Sequence, residues 1–181
     1  MNIWHDVSPI RVKKDNFVVV VEISRGGKNK YELDKETGLL RLDRILSTST
    51  HYPANYGFIP RTYADDSDPL DALILSSEAI LPMTLVRCYP IGVVTMLDRG
   101  EVDEKVISIP FKDPHYNCYH DISDLPLHMF KEIEHFFTVY KMLEESNIEV
   151  SGVLGRDDAM EVIQASIDKY YDKFLPVGQA V

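Results

Sequence analysis

Asn16-Phe17-Val18-Val19-Val20-Val21-Glu22-Ile23-Ser24 commits this chain to a class of fold. The β-branched run, bounded by polar residues, reads as a strand. Ser24-Arg25-Gly26-Gly27-Lys28 reads as a turn and Lys30-Tyr31-Glu32-Leu33 as a second strand. Together they predict a β-hairpin with a glycine-containing loop. A glycine-rich loop can also cradle phosphate, but no GxxxxGK[ST] pattern is present. Thr37-Gly38 is a further turn. Leu39 to Ile45 alternates Leu40 and Leu42 with Arg41 and Asp43, the pattern of a half-buried strand. His51 to Pro60, rich in tyrosine, glycine and proline, reads as an ordered loop. Leu70 to Leu75, Leu85 to Cys88, Ile91 to Met96 and Val106 to Pro110 add short strands.

Farther along, the period changes. Met129, Phe130, Ile133, Phe136, Phe137, Tyr140 and Leu143 recur at helical spacing, with Asp124 available as N-cap. Met160, Ile163, Ile167, Tyr170 and Phe174 do the same, with Asp157 as cap. Strands first and helices last predict an α+β domain. Five or more short strands without helices between them favour a small closed or nearly closed barrel. No repeat, low-complexity tract or linker divides residues 1–181, so one domain is expected.

The formal net charge of −10 disfavours generic binding to nucleic acid or to an anionic membrane surface. An anionic substrate would need local lysines, arginines or metal ions to offset that field. Cys88 and Cys118 form no CxxC pair, which fits a reduced cytosolic protein. The N-terminus lacks the apolar core of a signal peptide, and Phe17 to Val21 is far too short to span a bilayer. A soluble, cytoplasmic protein is expected.

The chemistry concentrates in Asp65-Asp66-Ser67-Asp68-Pro69-Leu70-Asp71, with four carboxylates in seven residues. In an extended segment Asp66 and Asp68 would project to the same side. Pro69 pushes Asp68 toward β or polyproline geometry. Carboxylates this dense repel one another, and a hard divalent cation bound through oxygen is the natural compensation. A polar turn between strands is the plainer alternative. An EF-hand is set aside, because counting from Asp66 the sixth position is Asp71 and the twelfth is Ser77. An aspartyl nucleophile at Asp66 with Asp68 as acid is a rival. It usually follows a buried parallel strand, for which Arg61-Thr62-Tyr63-Ala64 is too polar.

Other groups could join these. Glu22 and Glu32 lie on the predicted hairpin, and Asp98 and Asp103 flank a turn. An all-oxygen set suits Mg²⁺ or Mn²⁺ rather than zinc. Lys30, Arg44, Lys105 and Lys141 are cations suited to phosphate oxygens. His115-x-x-Cys118-x-His120 matches no standard zinc spacing.

These residues resemble a family. Asp66-Ser67-Asp68-Pro69-Leu70-Asp71 is similar to the D-[small]-D-P-x-D signature of family I soluble inorganic pyrophosphatases. Val21-Glu22-Ile23, Lys30-Tyr31-Glu32, Asp43-Arg44, Tyr52-Pro53-x-Asn55-Tyr56-Gly57, Met96-x-Asp98, Asp103-x-Lys105 and His135-Phe136-Phe137-x-x-Tyr140-Lys141 resemble family segments in the same order. The resemblance implies an OB-like five-stranded barrel flanked by C-terminal helices and Mg²⁺-dependent hydrolysis of pyrophosphate to two orthophosphates. It implies Asp66, Asp71 and Asp103 as ligands of the tighter metal site, with Asp98 and Glu32 holding metals that arrive with substrate and Glu22 lining the same cavity. Asp68 corresponds to the base that takes a proton from the attacking water. Lys30, Arg44, Lys105, Tyr140 and Lys141 correspond to phosphate-binding groups, and Tyr56 to a tyrosine near the nucleophile and substrate. Ser67 departs from the more usual glycine, which its small size should make tolerable. Val153 stands where tryptophan is frequent, and the loop Arg25 to Asn29 looks slightly short.

The chemistry is coherent without the name. Attack of hydroxide on a highly anionic substrate is disfavoured until cations neutralise it, and metals can lower the pKa of a water. A phosphatase for small esters or nucleotides would use the same groups. An OB-type binding module would want a basic groove with stacking aromatics, unlike this acidic chain. The compact length is similar to bacterial members of the family, which implies a homo-oligomer, with a hexamer favoured.

Overall fold

The computed structural model describes residues 2–98, 100–144 and 148–175. A short helix, α1 (Ile3–Asp6), and a two-residue strand, β1 (Val12–Lys13), precede β2 (Asn16–Ile23). There follow β3 (Asn29–Leu33), β4 (Leu40–Ile45), β5 (Asn55–Phe58), β6 (Asp71–Ile74), β7 (Leu85–Asp98) and β8 (Glu101–Pro110). The chain continues through α2 (Leu127–Val139), β9 (Ile148–Leu154) and α3 (Arg156–Phe174).

Five strands close a ring. β2 pairs with β5, β5 with β6, β6 with β8, β8 with β7, and β7 returns to β2. All these pairings are antiparallel except β6 with β8. This is the expected OB-like five-stranded barrel, with β1 and β9 added outside the ring. Alternate residues of the barrel strands serve different clusters. Tyr56, Leu73 and Ile107 pack with Ile133, Phe136 and Phe137 of α2. Val19, Ala72 and Val106 pack with Ile163 and Ile167 of α3. Apolar cover on both faces explains why β2 is continuously hydrophobic rather than alternating.

Several local expectations are corrected. β2 and β3 do not form a hairpin, because both edges of β2 are taken by β5 and β7 and leave β3 to pair with β4. The glycine turn is instead tied to the Tyr52 backbone, through Gly26 N–H to the Tyr52 carbonyl (2.9 Å) and Tyr52 N–H to the Gly27 carbonyl (3.0 Å). β4 is not half-buried: Leu42 and Ile45 are 50% and 61% exposed, since the β3–β4 ribbon stands off the main sheet. The two strands expected at Leu85–Cys88 and Ile91–Met96 are one, β7, in which Pro90 pairs with Ser108 and a bulge at Ile91 shifts the register before Gly92. β9, which follows α2, interrupts the order of strands first and helices last.

The expected helix caps also move. Pro126 precedes α2, and Asp124 sits in a 3₁₀ turn, Ile122–Asp124, closed by a capping box with Asp121. Gly155 caps α3, with Asp157 inside its first turn, where a negative charge meets the positive helix end. Leu143 lies beyond α2 and is exposed.

Candidate active site

The acidic run is a tight turn pinned from both sides. Ala64 N–H donates to the Asp68 carbonyl (2.8 Å) and Ser67 N–H to the Ala64 carbonyl (3.1 Å). Thr62 Oγ1 accepts from Leu70 N–H (2.8 Å) while donating to the Ile59 carbonyl (2.6 Å). Ser67 has φ 70°, in the left-handed region, so Asp66 and Asp68 do not belong to an extended segment. Their carboxyls reach one cavity by way of a turn, with Asp68 N–H donating to Asp66 Oδ1 (3.0 Å). The backbone angle, rather than side-chain size, is what makes glycine the easier residue at position 67.

Asp71 begins β6, opposite Lys105 on the parallel neighbour β8. The Lys105 ammonium is 2.7 Å from Asp71 Oδ2 and 2.9 Å from Asp103 Oδ1, and the residue is 3% exposed. Burial disfavours that charge, but Asp71, Tyr56 and Asp103 outweigh it and hold the lysine well above its ordinary range. Tyr56 donates its hydroxyl to Asp71. Burial pushes the Tyr56, Tyr52 and Tyr140 hydroxyls up, so all three stay protonated. Burial, and next the Asp71 charge, push Glu22 up to about 8, against the Leu33 N–H that donates to it (2.7 Å). Asp66 rises to about 6, first through partial burial of its carboxyl and then through the charges of Asp71, Asp68 and Asp103, against the Asp68 N–H.

Three further carboxylates each meet a cation. Lys30 pairs with Glu32 and lies 3.6 Å from Asp43; Lys141 is 2.5 Å from Asp98, and Lys35 pairs with Asp68. These groups, Asp43 apart, line a cavity of about 390 Å³. It gathers every residue expected at the site except Arg44. Arg44 pairs across β3–β4 with Lys30, but its guanidinium faces Asp43 (2.7 Å) and Glu144 (3.0 Å) instead.

The inorganic pyrophosphatase family profile matches residues 19–171. The chain belongs to the inorganic pyrophosphatase family. It is 46% identical over 173 residues to soluble inorganic pyrophosphatase 2 of Chlamydomonas reinhardtii, covering 96% of this chain and 90% of that one. Soluble inorganic pyrophosphatase 1 of Arabidopsis thaliana is 45% identical, over 95% of this chain and 81% of its own. Among solved structures, the inorganic pyrophosphatase of Helicobacter pylori superposes with a TM-score of 0.85 at 42% identity, over 87% of this chain and 95% of that one. That of Thermus thermophilus gives 0.86 at 37%, over 94% and 99%.

For this family member, the donor set fits a hard cation. Eight carboxyl side chains and five cationic ones line the cavity, and neither histidine nor cysteine is among them. Asp98 Oδ1 is buried without a hydrogen-bond partner among the described residues. Such an orphaned acceptor is costly unless something cationic meets it. Among the described residues no three acidic, histidine or cysteine side chains are drawn into a ready cage; Glu32, Asp71, Asp103 and Asp98 are turned to lysines. Sequence reasoning passed over Trp4, Asp34, Lys35, Arg41 and Tyr52, which also line the cavity. Arg41 and Tyr52 lay inside segments already singled out. Asp34 and Lys35 follow β3 directly, and Trp4 carried no signal.

Proposed function

We infer that this chain hydrolyses inorganic pyrophosphate to two orthophosphates in a Mg²⁺-dependent reaction, by direct attack of water with Asp68 as general base. The observation that carries this reading is the cavity's charge balance. Even with Glu22 holding its proton, the acids outnumber the five cations and would repel pyrophosphate by themselves, so the substrate needs divalent cations as companions. Asp66, Asp71 and Asp103 would hold the tighter of these, and Asp98, Glu32 and Glu22 those that accompany substrate. Bound there, the cations would neutralise phosphate oxygens and make water more acidic.

The protein's own groups do the rest. Lys30, Lys105 and Lys141 offer ammoniums to phosphate oxygens, and Tyr140 offers a hydroxyl kept protonated by burial. Arg44 would join them by turning from Asp43 and Glu144. Tyr56 steadies Asp71 beside the nucleophile region. Asp68 stands outside the Lys105 network and pairs with Lys35 through Oδ1, which leaves Oδ2 to orient a water and accept its proton. Two free cysteines and no disulfide agree with a cytosolic setting.

The test is phosphate release from pyrophosphate and from p-nitrophenyl phosphate, with Mg²⁺, with Mn²⁺ and with chelator. We expect activity on pyrophosphate that chelator abolishes, and preference for the ester would overturn the reading. Asp68→Asn should keep the fold and lower turnover by about 10²–10⁴-fold, the range for losing a general base. A near-normal rate would remove Asp68 from that role.

A further inference from the structure

Lys35 was not singled out by the sequence, yet it pairs with Asp68 at the cavity. Its placement is built from the N-terminal segment. The ammonium lies 5.2 Å from the centroid of the Trp4 ring, within reach of a cation–π attraction. The Lys35 carbonyl accepts from Asn2 Nδ2 (3.4 Å). Trp4 is fixed in turn: its Nε1–H donates to the Thr62 carbonyl (2.9 Å), and its carbonyl accepts from Arg61 N–H (2.9 Å). His5 stacks on it with ring centroids 4.7 Å apart, and Phe174 meets it edge-on at 5.3 Å.

Thr62 ties the two together. Its carbonyl holds Trp4 and its hydroxyl holds Leu70, at the end of the acidic turn. The cation and the carboxylate of the Lys35–Asp68 pair are therefore referenced to one buried threonine. Lys35 and Asp68 side chains are 47% and 53% exposed, so the pair adds little to stability. Its consequence is geometric.

We propose that Lys35 is a positioning residue for the hydrolytic site, its ammonium holding the Asp68 carboxylate in the cavity from a seat on Trp4. This role rests on the pyrophosphatase reading above. It acts through Asp68 rather than through substrate, so its loss should appear in kcat and hardly in KM.

The experiment compares wild-type, Lys35→Met and Lys35→Arg proteins for pyrophosphate hydrolysis with Mg²⁺, alongside their melting temperatures. Lys35→Met should lower kcat about tenfold through misplacement of the base, with KM and melting temperature little changed. Lys35→Arg should recover most of the loss, because a cation returns over the Trp4 face. An unchanged kcat in Lys35→Met, a rise in KM alone, or a loss that follows a fall in melting temperature overturns the role while the parent activity stands. A wild-type chain that releases no phosphate from pyrophosphate sinks both.

Discussion

Ser67 carries a conformational cost at the centre of the candidate site. At φ 70° an L-residue pays about 1–2 kcal/mol, and a glycine returns about 0.5–1 kcal/mol of this to the unfolded chain. Ser67→Gly should therefore raise unfolding free energy by about 0.5 kcal/mol, read from urea titration. A destabilised variant would mean that the serine side chain contributes something its backbone angle conceals. Glu22 provides a pH prediction at the same scale. Its carboxyl keeps a proton to about 8 when folded and loses it near 4.5 when unfolded. The native state then binds more protons across that window, so stability falls as pH rises through it. In chelator, Glu22→Gln should lose less stability than wild type between pH 5 and 8; equal slopes would exclude Glu22 as the source. Asp66, Asp68 and Asp71 were legible because they are crowded into one short run. Trp4 and Lys35 were not, because their relation to Asp68 passes through Thr62 and exists only in three dimensions.

Among the elements, β5 shows how little room the barrel leaves. A Cβ at Gly57 would overlap the Val20 carbonyl on the neighbouring strand. Gly57→Ala must force β2 and β5 apart at a pairing that helps close the ring, and we expect a loss of about 3 kcal/mol or more. Soluble protein with a wild-type melting temperature would contradict this. Strand identity was readable from β-branched runs, and both helices from their period. Pairing was harder. Proximity in sequence favoured β2 with β3, but the edges of β2 had already been claimed by β5 and β7. Pro90 falls between the two strands expected there, and β7 runs through it with a register shift between Pro90 and Gly92. Asp124 and Asp157 have the chemistry of caps, but the helices begin where Pro126 and Gly155 place the backbone.

For the whole molecule, the exposed apolar residues bear on assembly. Leu39, Leu42 and Ile45, at 68%, 50% and 61% exposed, lie along or beside the β3–β4 ribbon, and Met142 and Leu143 follow α2 at 62% and 70%. Where such residues form a patch, it commonly marks a contact with another chain. We propose a homo-oligomer, with a hexamer favoured, and expect sedimentation to give a mass several times that of one chain. A monomer at micromolar concentration would refute it. The barrel class was legible because long stretches of strand pattern ran without a helix between them. Its closure was not, since nothing local to Phe17 announces Cys88 as its partner.

That closure also sets the order of events in folding. β2 is the first strand of the ring to leave the ribosome, while β7, β8 and the residues that pair with Asp71 come much later. Until they arrive, Val18 to Val21 have no ring to enter, and the carboxylates that will share Lys105 remain scattered along a loose chain. Non-local pairing of this kind is slow to nucleate. The cavity's Lys105 network therefore depends on pairings that can form only once β8 has been made.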